Sequence, residues 1–309
     1  MRIRATVAAV SGALVLSAVA APLAQADGSS HSPDDVRQSV QAAKQAADAR
    51  STFAAADTGT PYELPFAFSN VKVNNGKPIV VGLQDRKTVP VTYTVTHDGT
   101  VDLSDPELFF DVDIWRGGSY GDPVNNLWGE EGPDCWATSG TTFDCKGQID
   151  IFPKDELSNA DATTWKIGGW AIDYNGEDTN SPDVNWDNVG FAVQDSLGTT
   201  KLKRRSAVTV NASPEPVKKG KTLTVTGKLK RANWDTNTYT GLPSGQSVTL
   251  QFRKKGSTTY TNVKGVKTAS GGYLKTTVTA STDGYWRFKY AGISNTASST
   301  AAGDYVDVQ

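Results

Sequence analysis

Four oxygen-bearing side chains, Asp173, Asn175, Glu177 and Asp178, sit in the single run Asp173-Tyr174-Asn175-Gly176-Glu177-Asp178-Thr179-Asn180, and Asp183 and Asp187 follow it. Calcium takes roughly six to eight oxygen ligands and tolerates irregular loops, so this run is the expected place for a calcium ion. The spacing is not that of an EF-hand. Counted from Asp173, Asp178 stands where that loop needs glycine and Val184 where it needs a bidentate glutamate. The plainer reading is a solvated surface loop. A second acidic pair lies in Phe109-Phe110-Asp111-Val112-Asp113-Ile114-Trp115. Strand alternation sends Phe110, Val112 and Ile114 to the core and leaves Asp111 and Asp113 together on the other, solvated face. Aromatic chemistry concentrates nearby: Trp115, Trp128, Trp136, Trp165, Trp170 and Trp186 all fall in the same half of the chain. Trp128 and Trp186 lie in Gly/Asn/Asp-rich stretches and are the expected exposed pair, able to stack on sugar rings, although packing is the usual fate of such side chains.

The residues for most catalytic chemistry are missing. Only His31 and His97 are present, with no Gly-x-Ser-x-Gly elbow and no His-Glu-x-x-His zinc spacing. No phosphate loop or dinucleotide fingerprint is found. Acids are plentiful, so a carboxylate-dependent glycosidase is the one catalytic alternative, its pair needing about 5–10 Å of separation across a groove. No catalytic residue is assigned, and a binding or structural protein is expected instead.

Cys135 and Cys145 are the only cysteines, and the arms Cys135-Trp136-Ala137-Thr138 and Thr142-Phe143-Asp144-Cys145 read as a hairpin. A three-residue loop, Ser139-Gly140-Thr141, sets Cys135 opposite Cys145, whereas a two-residue Ser-Gly turn would pair Cys135 with Asp144. A disulfide between directly opposed residues is expected, in an oxidising compartment.

These groups need a scaffold, and the chain reads as all-β. Arg2 and Arg4, the apolar stretch Val7 to Ala21, and Ala24-Gln25-Ala26 have the grammar of a signal peptide over residues 1–26. No second apolar segment follows, so a secreted, extracellular protein without membrane insertion is expected. Residues 27–61 open with the helix start Ser32-Pro33-Asp34-Asp35 and carry a thin stripe of Val36, Val40, Ala43 and Ala47. That stripe predicts a helical or disordered spacer. Residues 62–205 then give short Val-, Thr- and aromatic-rich runs broken by Asn-Gly, Asp-Gly and Gly-Gly, the pattern of an antiparallel β-sandwich. Residues 206–309 give seven candidate strands, in which Val248, Leu250 and Phe252 alternate with Thr249 and Gln251, and Trp286, Phe288 and Tyr290 with Arg287 and Lys289. Seven short strands in about a hundred residues is the immunoglobulin-like count.

Charge divides the same way. Residues 62–200 hold 23 Asp/Glu and 8 Lys/Arg, a net of −15, whereas residues 206–309 hold 14 Lys/Arg and 5 Asp/Glu, a net of +9. Such a split bears on partners and solubility. The acidic half suits cations and the basic half an anionic polymer such as teichoic acid or nucleic acid; a cell-wall polymer or another secreted protein is the expected partner, ahead of nucleic acid. The alternative is that each half solvates itself and the two attract.

Several segments carry a family resemblance: Val210-Asn211-Ala212-Ser213-Pro214-Glu215-Pro216-Val217-Lys218-Lys219-Gly220-Lys221, Gly227-Lys228-Leu229, Ala232-Asn233-Trp234, Val248-Thr249-Leu250-Gln251-Phe252-Arg253 and Asp283-Gly284-Tyr285-Trp286-Arg287. The chain resembles a group of secreted actinobacterial, Streptomyces-like two-domain proteins with a C-terminal immunoglobulin-like module, and the Cys-bracketed hairpin fits the same group. The resemblance implies two immunoglobulin-like sandwiches in an extracytoplasmic protein. Members are described as hypothetical or as calcium-binding and the group has no established activity, so the resemblance bears on location and fold more than on function.

Overall fold

In a computed structural model of the chain, residues 33–49, 59–179, 181 and 183–309 are described. The expected signal peptide, residues 1–26, lies outside the described residues. Helix α1 spans Pro33–Ala49. Ten strands follow: β1 Tyr62–Glu63, β2 Phe66–Val73, β3 Ile79–Val81, β4 Lys87–His97, β5 Leu108–Gly118, β6 Pro123–Leu127, β7 Asp134–Ser139, β8 Thr142–Ile151, β9 Thr164–Asp173 and β10 Gly190–Arg204. They form two sheets, one ordered β2-β4-β8-β7 and the other β1-β10-β9-β5-β6, with β3 on the far end of β10. Pairing is antiparallel throughout except where β1 and β3 run parallel to β10. Strand β4 shows the cause: Val89, Val91, Tyr93 and Val95 point inward at period two, and threonines separate most of them. They meet Phe66, Phe68, Phe110, Val112, Ile114, Ile149 and Trp165 in one core.

The middle of the second sheet, β5 and β9, is buried on both faces, because α1 lies across its outer side. Val36, Val40 and Ala43 pack there against Trp170, Ile172, Tyr174, Trp186 and Phe191. The helix is therefore not a spacer. Its stripe is thin, but the receiving surface is large and aromatic, and burial of both partners contributes to the free energy.

Cys135 and Cys145 are bonded and directly opposed, their Cα atoms 4.1 Å apart. The register is reached by a route the sequence did not show. The turn holds two residues, Gly140 and Thr141, with Ser139 facing Thr142; a one-residue bulge at Thr138 then restores Ala137 to Phe143 and Cys135 to Cys145.

Ten further strands build a second sandwich: β11 Ser206–Val208, β12 Asn211–Ser213, β13 Thr222–Asn233, β14 Thr238–Gly241, β15 Ser247–Lys254, β16 Thr261–Lys267, β17 Tyr273–Thr279, β18 Gly284–Tyr290, β19 Ser299–Thr300 and β20 Asp304–Val306. One sheet gathers β11, β12, β14 and β17 around β13, and the other runs β16-β15-β18 with β19 and β20 on β18. Val225, Leu229, Leu250, Trp286 and Phe288 fill the space between. The architecture is thus all-β, two immunoglobulin-like sandwiches in tandem, with a packed N-terminal helix.

The two sandwiches are joined through a built contact. Trp234, just beyond β13, is buried with Ala232 in the core of the first sandwich, and its indole N–H donates to the Gly82 carbonyl at 3.0 Å. Asn159 binds the other side: its Oδ1 accepts from the Trp234 amide at 3.1 Å and from Arg204 at 2.6 Å, while its Nδ2 donates to Asn233 Oδ1 at 2.6 Å.

Candidate functional site

Strand β5 carries both acids that the sequence singled out, and neither is solvated. Asp111 and Asp113 are both buried: α1 covers Asp113, whereas Asp111 lies against Tyr93 and Gly147 of the facing sheet. Lys44, four residues beyond Val40 on the packed face of α1, reaches Asp113 Oδ2 at 2.8 Å, and both side chains are at most 1% exposed. Tyr120 donates to Asp113 Oδ1 at 2.6 Å and Asn126 Nδ2 to Oδ2 at 3.1 Å. Gly168 makes this possible, since it faces Asp113 across the β5–β9 ladder and a Cβ there would fall 2.3 Å from the Tyr120 ring. The Lys44 ammonium lies 3.7 Å from the Tyr120 ring centre and 5.0 Å from that of Trp128. Burial pulls the Lys44 ammonium below its ordinary value, and Asp113 opposes that.

Asp111 has no cation beside it among the described ion pairs. Burial pushes its carboxyl up to about 8; the Val112 amide at 2.7 Å works the other way, and the charge of Asp113 adds to the rise. A carboxyl held protonated near neutrality is a group that acid–base enzymes use. Here it is buried between the two sheets' edges, with the Tyr93 hydroxyl at 3.4 Å and Gly147 beside it. The arrangement is chemically a satisfied buried ion pair beside a neutral acid.

The oxygen-rich loop follows β9. Asp173 accepts from the Asn175 amide at 3.3 Å; burial raises its carboxyl, and Asp105 and Glu107 nearby add to that. Asn175 donates to Tyr62 Oη at 2.9 Å and to the Asn188 carbonyl at 3.1 Å. Glu177 divides its two oxygens between the Asn185 amide at 3.1 Å and Asn188 Nδ2 at 2.7 Å. Asp178 offers its backbone carbonyl to Ser181 at 2.9 Å. Among the described residues, no three acidic, histidine or cysteine side chains converge as a metal cluster. The Glu177 oxygens and the Asn175 amide nitrogen tie the loop to the segment 185–188.

The exposure expected of Trp128 and Trp186 is not found. Trp186 is 8% exposed and belongs to the surface that receives α1. Trp128 is partly buried beneath Arg37 and Lys44 and stands edge-on to Trp170 at 6.1 Å. Composition predicted a surface loop around each residue, but the helix covers both.

The second sandwich presents the contrast. On the outer face of the β16-β15-β18 sheet, Arg253 pairs with Tyr285 and Gln251 with Arg287 across the β15–β18 ladder. Tyr260, just before β16, lies over this face. The Arg287 guanidinium carbon is 3.6 Å from its ring centre and that of Arg253 is 5.2 Å away. Arg253 also stands 4.0 Å from the centre of Tyr285, which contacts Tyr305 at 5.1 Å. Gly303 allows Tyr260 its position, since a Cβ there would fall 2.0 Å from the hydroxyl. Hydrogen bonds fix both arginines: Arg253 donates to the Ser257 carbonyl at 2.6 Å and Arg287 Nε to Gln251 Oε1 at 2.8 Å. Among the described residues neither has a carboxylate within ion-pair distance, whereas Lys255 beside them is paired with Asp283 at 3.3 Å. The sequence showed Arg287 alternating with core aromatics; it could not show that Tyr260 folds back over the strand pair.

No family model matches the chain, and no curated protein matches it in sequence. Solved structures it is similar to include domains A168–A170 of titin, at 10% identity over 77% of this chain and 66% of that one, with a TM-score of 0.21. The Yersinia pseudotuberculosis adhesin InvE is similar at 9% identity over 78% and 58%, TM-score 0.23. The full ectodomain of mouse nectin-like molecule 4 is similar at 11% identity over 80% and 65%, TM-score 0.21. The chain therefore spans 58–66% of the length of these structures, and likeness at this level says nothing about what it binds.

Proposed function

We propose that this chain is a secreted, non-catalytic binding protein that engages an anionic surface with its second sandwich. The observation that carries the reading is the contrast between the two halves. In the first sandwich three buried acids are taken up by ion pairs within the fold: Asp113 by Lys44, Asp150 by Arg86 at 2.7 Å, and Asp161 by Arg116. In the second, Arg253 and Arg287 are held in place with no carboxylate among the described residues within ion-pair distance. A net of −15 in one half and +9 in the other also gives the molecule a strong dipole. That dipole orients it basic end first toward an anionic surface. The Trp234 contact keeps the two ends in a fixed relation. The disulfide supports an oxidising compartment, and among the described residues no helix is long and apolar enough to cross a membrane.

The test is co-sedimentation of the secreted chain with purified cell walls, before and after chemical removal of their anionic polymers. Binding to intact walls and loss on stripped walls is the expected result. Equal binding to both would favour a neutral glycan ligand, and release of soluble sugar from either would make the chain an enzyme.

A further inference from the structure

The face built by Arg253, Tyr260, Tyr285 and Arg287 has a chemistry specific enough to name its ligand class. We infer that it is a binding site for the repeated anionic groups of a base-free polymer, with Arg253 and Arg287 each holding one anionic group. The inference rests on the reading above and deepens it.

Three features lead there. First, the two guanidiniums are preorganised. Each stacks near a tyrosine ring and donates to a fixed acceptor, Ser257 or Gln251, so little side-chain freedom remains to be lost on binding. Each still has N–H groups beyond the one so used, and a planar fork matches two oxygens of a phosphate, sulfate or carboxylate. Second, both arginines lack a carboxylate partner among the described residues and are half-buried, which strengthens their pull on an incoming anion. Third, guanidiniums cover the rings. Proteins that hold single-stranded nucleic acid offer open aromatic faces on which bases stack, and here Arg287 at 3.6 Å and Arg253 at 4.0 Å already lie over Tyr260 and Tyr285. The site recognises charge rather than bases. Phosphodiester and uronate polymers share that chemistry.

The experiment measures binding of the full secreted chain to poly(glycerol phosphate), polygalacturonate, a single-stranded DNA homopolymer and neutral dextran at fixed ionic strength. Poly(glycerol phosphate) or polygalacturonate, whichever binds more tightly, identifies the anionic group. DNA should bind more weakly than that polymer, and dextran not at all. Arg253→Gln and Arg287→Gln should each weaken the preferred polymer about tenfold, as expected for losing one charge-assisted contact. The pair Lys228→Gln with Lys230→Gln removes two charges from β13 in the opposite sheet and should change binding less than twofold. If Arg287→Gln does not fold, Arg253→Gln and Arg253→Lys carry the test, with melting curves to confirm the fold. Lysine keeps the charge but loses the planar fork, so Arg253→Lys should also weaken binding. An equal effect of the lysine pair would reduce the site to net charge and overturn the inference, as would tightest binding to DNA or no binding to either base-free polymer. Wall binding that survives these substitutions would reject this site while leaving the broader reading in place.

Discussion

Lys44 of the N-terminal helix and Asp113 of the sheet beneath it form an ion pair at 2.8 Å in which neither side chain is more than 1% exposed. A charged pair so far from water has a large desolvation cost, and it persists because Tyr120 and Asn126 complete the hydrogen bonds of the carboxylate. The pair fixes which turn of α1 meets which strand.

Removing one member should therefore cost much more than removing both. Lys44→Met leaves Asp113 buried without its cation and should destabilise the chain by about 3–5 kcal/mol. Lys44→Met with Asp113→Asn should recover most of that loss. Urea unfolding of the two variants measures the difference. A single variant within about 1 kcal/mol of the parent, the range typical of exposed pairs, would mean that α1 is loosely held.

The neighbouring Asp111 sets a pH dependence. Its folded value, about 8, lies above the ordinary 3.8, so the native protein keeps a proton that the unfolded chain has lost. Stability from this group is complete below about pH 4, falls as pH rises toward about 8, and is gone beyond. Asp111→Asn stays neutral throughout. Its melting temperature relative to the parent should rise steadily across that window. A constant difference would show that Asp111 is ionised at neutral pH.

The joint offers a third measurement. Trp234→Ala should cost about 3–5 kcal/mol, the usual range for emptying a buried tryptophan site. A fragment of residues 206–309 should still fold, because Val225, Leu229, Leu250 and Phe288 form a core of their own. Its tryptophan emission should shift to the red as Trp234 leaves its socket. Unchanged emission would mean that the second sandwich buries Trp234 without help from the first.

In the acidic loop, Glu177 and Asp173 already accept hydrogen bonds from Asn185, Asn188 and Asn175. Calcium and magnesium should accordingly raise the melting temperature by the same small amount, through screening of the acidic half. A calcium-selective rise, lost in Asp173→Ala with Asp178→Ala, would instead place an ion in this loop.

Much of the scaffold was legible because strand alternation is a local signal. The β15 and β18 patterns gave the inward Leu250 and Phe288 directly, and the cysteine spacing gave the bridge, although not the Thr138 bulge that sets its register. The site was less legible because it depends on what lies above a sheet. Asp111 and Asp113 read as solvated when β5 is considered alone; the helix reverses that for Asp113 and the facing sheet for Asp111. A sequence signal for the first of these did exist. Lys44 follows Val36 and Val40 at intervals of four, so it shares the apolar stripe, and a lysine there needs a buried partner. Trp186 was misread for the same reason, since a polar neighbourhood in sequence does not exclude a helix from elsewhere in the chain. The Arg253–Tyr260–Arg287 arrangement joins residues from three segments, which no spacing reveals.

The central claim is that the molecule holds its target through charge on the second sandwich, and the salt dependence of wall binding by the secreted chain tests it most directly. Between about 50 and 200 mM salt the affinity should fall by an order of magnitude or more, as counterions compete for the anionic groups. Affinity unchanged over that range would contradict the account.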